Sequence, residues 1–150
     1  MTSNNSSSKY LELIAFRVGN LSCALPISEI QEIIDLPSIT RVPMPQPEIE
    51  GLVNLRGSIV TIIDMRVRCG FEPLPRDRHS RIIATELQGE LMGLMVEEVE
   101  DSISAPLSEI IATPGNIKGI EAEIFRAVYK KDDKLIGILG LESTLLGAAA

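Results

Sequence analysis

Residues 51–66 read GLVNLRGSIVTIIDMR, an apolar run that is interrupted by one polar corner. The residues on each side of the corner are β-prone, which predicts two strands that meet at Arg56 and Gly57. Glycine adopts positive φ without steric cost, so it suits the turn between the strands. Side chains alternate between the faces of a strand, which puts Asp64 and Arg66 on the same face as apolar neighbours. A charge among apolar groups needs a partner, and a pair of Arg56 with Asp64 is the simplest interpretation.

The same rhythm continues along the chain, because apolar β-prone runs alternate with turn residues. Strands are predicted over 11–18, 21–25, 51–55, 59–67, 81–87, 91–96, 124–129 and 135–141. Many short strands with few helices predict an all-β fold made of two small barrels, whose closure removes exposed sheet edges. The hydrophobic content of 45% with only 3% aromatic residues predicts an aliphatic core.

Helical signals are few. Ser28 and Gln31 form a capping box, and isoleucines at helical spacing follow, so a short helix is predicted over 28–35. A second short helix is predicted over 141–146. The remaining segments between strands carry turn residues and are predicted to be loops.

Composition also predicts the domain organisation. Prolines in 36–50 and 70–80 exclude regular helix and central strand, so both segments are predicted to be exposed connectors. The polar, Ser/Asn-rich residues 1–9 predict a flexible N-terminal tail, and residues 147–150 predict a C-terminal tail. The intervening residues 10–146 have a length that suits a single domain.

Charge is unevenly distributed in this chain, whose formal net charge is −7. Seven of its nine arginines lie within 41–81, whereas 85–109 contains seven acids and no Lys or Arg. The acid excess opposes binding to nucleic acid or an anionic membrane, and the shortage of aromatic residues opposes base stacking. No apolar run reaches the roughly 18 residues that a membrane-spanning helix needs. Two regions of opposite charge favour protein partners.

Signals for catalysis, metals and cofactors are weak. Cys23 and Cys69 match no metal-ligand spacing, and we interpret both as reduced thiols in the cytoplasm. His79, the only histidine, lies beside arginines and is interpreted as a solvated loop residue. The acidic run 97–101 lacks the spacing of a calcium loop and is interpreted mostly as a solvated strand edge. These residues indicate a non-enzymatic binding protein, with a small enzyme or ligand-binding barrel that uses 97–101 or Asp64 as the alternative.

Six motifs occur in the order that one family shows. They are LIAFRVGNLSCALPI, IQEI, TRVP, G-x-x-N-L-R-G, IIDMR and GLMVEEV. On these motifs, the chain resembles the CheW family of chemotaxis coupling proteins over about residues 10–146. The resemblance implies two SH3-like five-stranded β-barrels packed on a shared hydrophobic core, with one or two short helices. It also implies a non-catalytic adaptor, without a cofactor or metal, that couples transmembrane chemoreceptors to the histidine kinase CheA.

The resemblance also assigns residues to partners. It implies an aliphatic groove for the helical cytoplasmic tip of a chemoreceptor, formed by Ile30, Glu32, Ile33, Asn54, Leu55, Arg56, Val96 and Val99. The regulatory domain of CheA would contact Asp64, Arg66, Arg68, Arg81 and Ile82. The strand turns would require the glycines Gly51, Gly57 and Gly93.

The implied protein is cytoplasmic, is recruited to membrane-bound receptor arrays and is monomeric on its own. It binds no nucleic acid and does not insert into the membrane. Within the same family, an adaptor for a parallel chemosensory pathway, such as motility or development, is the alternative that the residues leave open.

Overall fold

The computed structural model describes residues 9–146, so apart from Lys9 the predicted tails lie outside the described residues. In chain order the strands are β1 (Tyr10–Val18), β2 (Leu21–Pro26), β3 (Ile30–Asp35), β4 (Ile49–Leu55), β5 (Ser58–Asp64), β6 (Arg81–Leu87), β7 (Glu90–Val96), β8 (Glu98–Pro106), β9 (Ile110–Ala112), β10 (Phe125–Lys131) and β11 (Lys134–Leu139). The helical elements are α1 (Met65–Arg68), α2 (Ile120–Ile124), 3-10 turns at Ile27–Glu29 and Leu107–Glu109, and a π-helical turn at Glu142–Leu146. The prediction of an all-β fold with few short helices is confirmed.

The strands form two sheets, and each sheet curves into an SH3-like barrel. The first barrel has the strand order β3-β6-β7-β5-β4, and the second barrel has the order β8-β1-β2-β11-β10-β9. The predicted pair of barrels is therefore confirmed, and the short β9 extends the second one. Each barrel combines both halves of the chain, because β1 and β2 pair within the later strands while β3–β5 join β6 and β7. Neither half contains a complete barrel.

Most central strands are buried on both faces, which explains why their apolar residues run continuously instead of alternating with polar ones. In β1, Leu13 lies in the core of the second barrel, whereas Phe16 lies in a cluster between the barrels. In β5, Ile62 lies in the core of the first barrel, whereas Ile63 joins the cluster between the barrels. This cluster contains residues of both barrels, so the predicted shared core is confirmed.

Equivalent strands of the two barrels pair in the same register. In the first barrel, β5 runs parallel to β7 with Thr61 opposite Met92, and in the second, β11 runs parallel to β2 with Gly137 opposite Cys23. A β-bulge follows the first residue of β4 in one ladder and the first residue of β10 in the other. The barrels are therefore related by an approximate internal symmetry, in which Gly137 is equivalent to Thr61.

The predicted helix over 28–35 is wrong. Its first part is the 3-10 turn Ile27–Glu29, without a side-chain cap, and the rest is strand β3, antiparallel to β6. Isoleucine is β-branched and fits a strand, and pairing with β6 satisfies the backbone groups that a helix would have satisfied internally. Strand pairing with β6 therefore outweighs the local helix-capping signal.

The predicted strand over 59–67 ends earlier than expected. Asp64 accepts hydrogen bonds from the N–H groups of Arg66 at 3.0 Å and Val67 at 3.5 Å, so it ends β5 and caps α1. The prediction that Arg66 continues the strand is wrong for this reason. The predicted terminal helix is present as the π-helical turn Glu142–Leu146. Within residues 9–146, no helix is both long enough and apolar enough to span a membrane.

Candidate functional site

The corner between β4 and β5 is the tight turn that the sequence predicts. Arg56 and Gly57 have φ values of 53° and 86°, and positive φ at both positions is what a type I′ turn requires. The Gly57 N–H donates a hydrogen bond to Asn54 Oδ1 at 2.9 Å, which holds the turn. Leu55 packs against the core of the first barrel. Asn54 and Leu55 thus fix the corner, and the Arg56 side chain projects from it, 75% exposed.

Arg56 pairs with Glu32, and the predicted pair with Asp64 is wrong. The two terminal nitrogens of Arg56 donate to the two carboxylate oxygens of Glu32 at 2.6 and 2.7 Å, a bidentate arrangement. Glu32 lies on β3, at one edge of the sheet, and Arg56 directly follows β4, at the other edge. A barrel brings its sheet edges together, which spacing along the sequence does not reveal. The ion pair therefore spans the closure of the first barrel.

The other predicted receptor residues lie in two places. Ile33 follows Glu32 on β3 and is 37% exposed, so it presents an apolar group on the other face of this edge strand. Ile30 and Val99 are partly buried against the shared core between the barrels. Val96 lies within that core and has 0% exposure, so it supports the junction of the barrels without reaching the surface.

Two predicted kinase residues are buried. The side chain of Asp64 is engaged by backbone N–H groups, including that of Leu74 at 3.0 Å, and the residue is only 1% exposed. Burial raises the pKa of the Asp64 carboxyl, and its backbone hydrogen bonds act in the opposite direction. Ile82 is 1% exposed and belongs to the core of the first barrel. Both residues therefore stabilise the first barrel, and a kinase contact there would have to use other, exposed side chains.

The predicted kinase arginines hold loops in place. Arg68 Nε donates to the Thr144 carbonyl at 2.9 Å, and Arg68 Nη2 donates to the Ser143 carbonyl at 3.1 Å. Arg81 Nη1 donates to the carbonyls of Arg78 at 2.7 Å and Ser80 at 2.9 Å. These contacts attach the C-terminal turn to α1 and the second connector to β6. A kinase contact by these arginines stays a prediction.

Glu97 ties the two barrels together, although the sequence indicated only a solvated acidic edge. It lies between β7 and β8, and its carboxylate accepts hydrogen bonds from the Gly19 N–H, from Arg66 at 2.7 Å and from Arg17 at 3.5 Å. Arg66 follows the first barrel's β5, whereas Arg17 and Gly19 belong to the β1–β2 hairpin of the second. Burial would raise the pKa of Glu97, but Arg66, the Gly19 N–H and Arg17 together lower it.

The three predicted glycines have different structural reasons. Gly57 is the turn glycine. A Cβ at Gly51 would overlap the Thr40 carbonyl. A Cβ at Gly93 would lie 2.7 Å from Ile62 Cδ1 and 2.8 Å from Ile82 Cγ2, inside the first barrel. Close packing, and not a turn, therefore requires glycine at 51 and 93.

The described residues offer little for metal or thiol chemistry. Among residues 9–146, no group of three or more His, Cys, Asp or Glu side chains is arranged to hold a metal ion. Cys23 and Cys69 are free and buried, and burial raises the pKa of the Cys69 thiol to about 11. A thiol with this pKa is protonated at neutral pH and is a poor nucleophile.

Comparisons with known proteins agree with this architecture. The family model for the CheW-like domain matches residues 12–147. A probable chemotaxis protein CheW from Rhizobium etli is 32% identical over 133 residues, which cover 88% of this chain and 85% of the relative. The chemotaxis protein CheW of Bacillus subtilis is 27% identical over 134 residues, covering 89% of this chain and 86% of the relative.

A solved structure has the same fold. The crystal structure of the scaffolding protein TtCheW from Thermoanaerobacter tengcongensis superposes with a TM-score of 0.81 at 30% identity, covering 88% of this chain and 90% of that chain. The sequence and the fold thus agree over nearly all of the described residues. This chain belongs to the family of CheW-like domains.

Proposed function

We propose that the protein is a chemotaxis adaptor that couples chemoreceptors to the histidine kinase CheA. The observation that carries the proposal is the family match over residues 12–147, together with a fold like that of a scaffolding protein at a TM-score of 0.81. An adaptor needs stable surfaces and no catalytic group. The buried thiols and the engaged Asp64 carboxylate fit such a non-catalytic role. In this role the protein works in the cytoplasm and is recruited to receptor arrays.

The corner is the proposed centre of the receptor contact. Glu32 uses both carboxylate oxygens to hold Arg56, and about three of the five N–H donors of the guanidinium are left to face solvent. Ile33, the next residue of the edge strand β3, supplies an exposed apolar side chain on the other face of that strand. An amphipathic helix can lay an apolar side chain on Ile33 and give Arg56 a carboxylate or carbonyl oxygen at its polar edge. The helical tip of a receptor has this character.

Replacement of Arg56 tests the receptor contact. We expect Arg56→Ala to weaken binding of a receptor cytoplasmic fragment by about tenfold or more, because truncation of a central arginine commonly costs over 1 kcal/mol. The free energy of unfolding should fall by no more than about 1 kcal/mol, because the ion pair is exposed. Calorimetric titration with the receptor fragment and with the CheA regulatory domain measures both affinities.

Arg126→Ala is the matched control, because Arg126 also pairs with a glutamate, Glu29, at 3.3 Å. It should bind the receptor fragment as the wild type does. If Arg56→Ala no longer unfolds cooperatively, or if it binds the receptor fragment as tightly as the wild type, then Arg56 only stabilises the barrel and makes no receptor contact. A wild-type protein that binds neither partner at tens of micromolar would contradict the adaptor function.

A further inference from the structure

Two proline-containing connectors meet beside α1 and enclose a groove with a volume of about 540 Å³. Its apolar lining comes from both connectors, from the start of β4 and from α1, and we name it the proline groove: Val42, Pro43, Pro47, Ile49, Val67 and Pro73. Proline fixes φ, so these walls lose little conformational entropy when a partner binds. The groove is thus a preformed apolar surface.

Two arginines converge on a single carboxylate at this groove. Arg41 Nη2 lies 2.9 Å from Glu50 Oε2, and Arg76 Nη2 contacts the same oxygen. Glu50 is largely covered, with a side chain 14% exposed, whereas the side chain of Arg41 is 77% exposed. The two guanidinium groups outnumber the Glu50 carboxylate that they contact, and another carboxylate within electrostatic range of Glu50, that of Asp64, is buried. Within residues 9–146, Arg41 makes no other ion pair or hydrogen bond, so most of its N–H donors are free.

Charge complementarity indicates what the proline groove binds. The chain carries a net charge of −7, and residues 85–109 hold seven acids without Lys or Arg. An acidic partner segment is repelled by that region and attracted to the arginines at 41 and 76. Guanidinium groups bind carboxylates in a bidentate manner, which gives direction as well as energy. An aliphatic side chain beside the carboxylate would bury apolar surface against the prolines and Val67.

We propose that the proline groove binds a segment of the CheA regulatory domain in which an Asp or Glu lies beside an aliphatic residue. The partner's carboxylate lies between Arg41 and Arg76, and its aliphatic side chain packs on Pro43, Pro73 and Val67. This assignment rests on the adaptor function proposed above. It places the kinase contact next to the predicted positions 64–68, at surface that residues 9–146 leave uncovered.

The test compares two arginines of the same region. Arg41→Glu reverses the charge at the groove, and Arg78→Glu makes the same change at an exposed residue that does not line it. Calorimetric titration with the CheA regulatory domain should show a loss of about tenfold or more for Arg41→Glu and less than about twofold for Arg78→Glu. Both variants should bind the receptor fragment with wild-type affinity.

A second measurement locates the contact on the folded protein. Addition of the CheA regulatory domain should shift the NMR methyl signals of Val42, Ile49 and Val67 in the wild type. The groove assignment would be wrong if the two arginine variants lost equal affinity, or if the kinase domain bound without shifting these methyl signals. Either result would leave the proposed adaptor function unaffected. A wild type that fails to bind the kinase domain would overturn both.

Discussion

The two barrels share a register, but their corners carry different charges. In the first barrel, Glu32 on the edge strand pairs with Arg56 in the turn. The equivalent positions in the second barrel, assigned from the paired strands, are Asp101 on β8 and Asp132 in the β10–β11 turn. The first residue of the turn has the same backbone conformation in both barrels, since φ is 53° at Arg56 and 57° at Asp132. Two acids repel each other, and the nearby ion pair is Lys134 with a different acid of β8, at 3.8 Å.

The comparison separates what a barrel needs from what the first corner adds. At its corner the second barrel has no arginine–glutamate pair among residues 9–146, and a cavity of about 550 Å³ lies there. Barrel closure therefore depends on strand pairing and apolar cores. The bidentate pair of Glu32 with Arg56 stands where the second barrel has only a longer Lys134–Glu100 contact, a difference that fits its proposed role in receptor binding.

The largest expected effect comes from adding a methyl group at a buried position that is glycine in the second barrel and threonine in the first. Gly137 is equivalent to Thr61, and a Cβ at 137 would overlap the ring of Phe125. We expect Gly137→Ala to lower the free energy of unfolding by about 1–3 kcal/mol, because overpacking displaces a buried ring. Thr61→Ala, which adds no atoms, should cost less. Urea denaturation measures both, and equal losses would contradict the proposed difference.

An effect of comparable size is expected where the barrels are joined. Glu97→Gln removes the charge that holds Arg66 and Arg17, so we expect the free energy of unfolding at pH 7 to fall by about 1–3 kcal/mol. Ser28→Ala is the control at the equivalent position of the other half. Ile30 and Val99 occupy equivalent positions in the paired strands, and Ser28 lies two residues before Ile30 as Glu97 lies two residues before Val99. A loss in Ser28→Ala as large as that in Glu97→Gln would refute an asymmetric junction.

The pH dependence of the Glu97 contribution has a definite sign. Its pKa is lowered from the ordinary 4.5 in the folded state, so its stabilising contribution is complete above that value and disappears as the pH falls through the folded-state pKa. The difference in unfolding free energy between the wild type and Glu97→Gln should therefore shrink on acidification below about pH 4.5. Urea denaturation from pH 7 to pH 3 checks this, and a constant difference would contradict it.

The smallest expected effect comes from giving the second corner the charge of the first. Asp132→Arg places a cation opposite Asp101 at a position whose φ already suits Arg56 in the first barrel. We expect a gain of about 0.2–1 kcal/mol in the free energy of unfolding, because exposed ion pairs contribute little. Asp133→Arg, with the same change of charge, is the control. Equal gains in unfolding free energy for the two variants would mean that the added charge reduces the net negative charge of the chain and forms no specific ion pair.

The sequence predicted the class of fold well and several local details poorly. Long apolar runs identified most strands, and the Asn54 to Gly57 turn was found because its residue types are specific to tight hairpins. The helix over 28–35 was mispredicted because isoleucines fit a strand as well as a helix, and only pairing with β6 decided between them. Glu97 gave no signal, since an acid among acids resembles a solvated edge until Arg66 and Arg17 arrive from distant segments.

By itself, the sequence determined the all-β architecture, the aliphatic cores, the corner and the family, because these depend on residue types and short spacing. Only the tertiary structure decided that Glu32 is the partner of Arg56, that Glu97 joins the barrels and that each barrel combines both halves of the chain. Such contacts depend on how a sheet curves and which edges meet, and curvature is a property of many strands together.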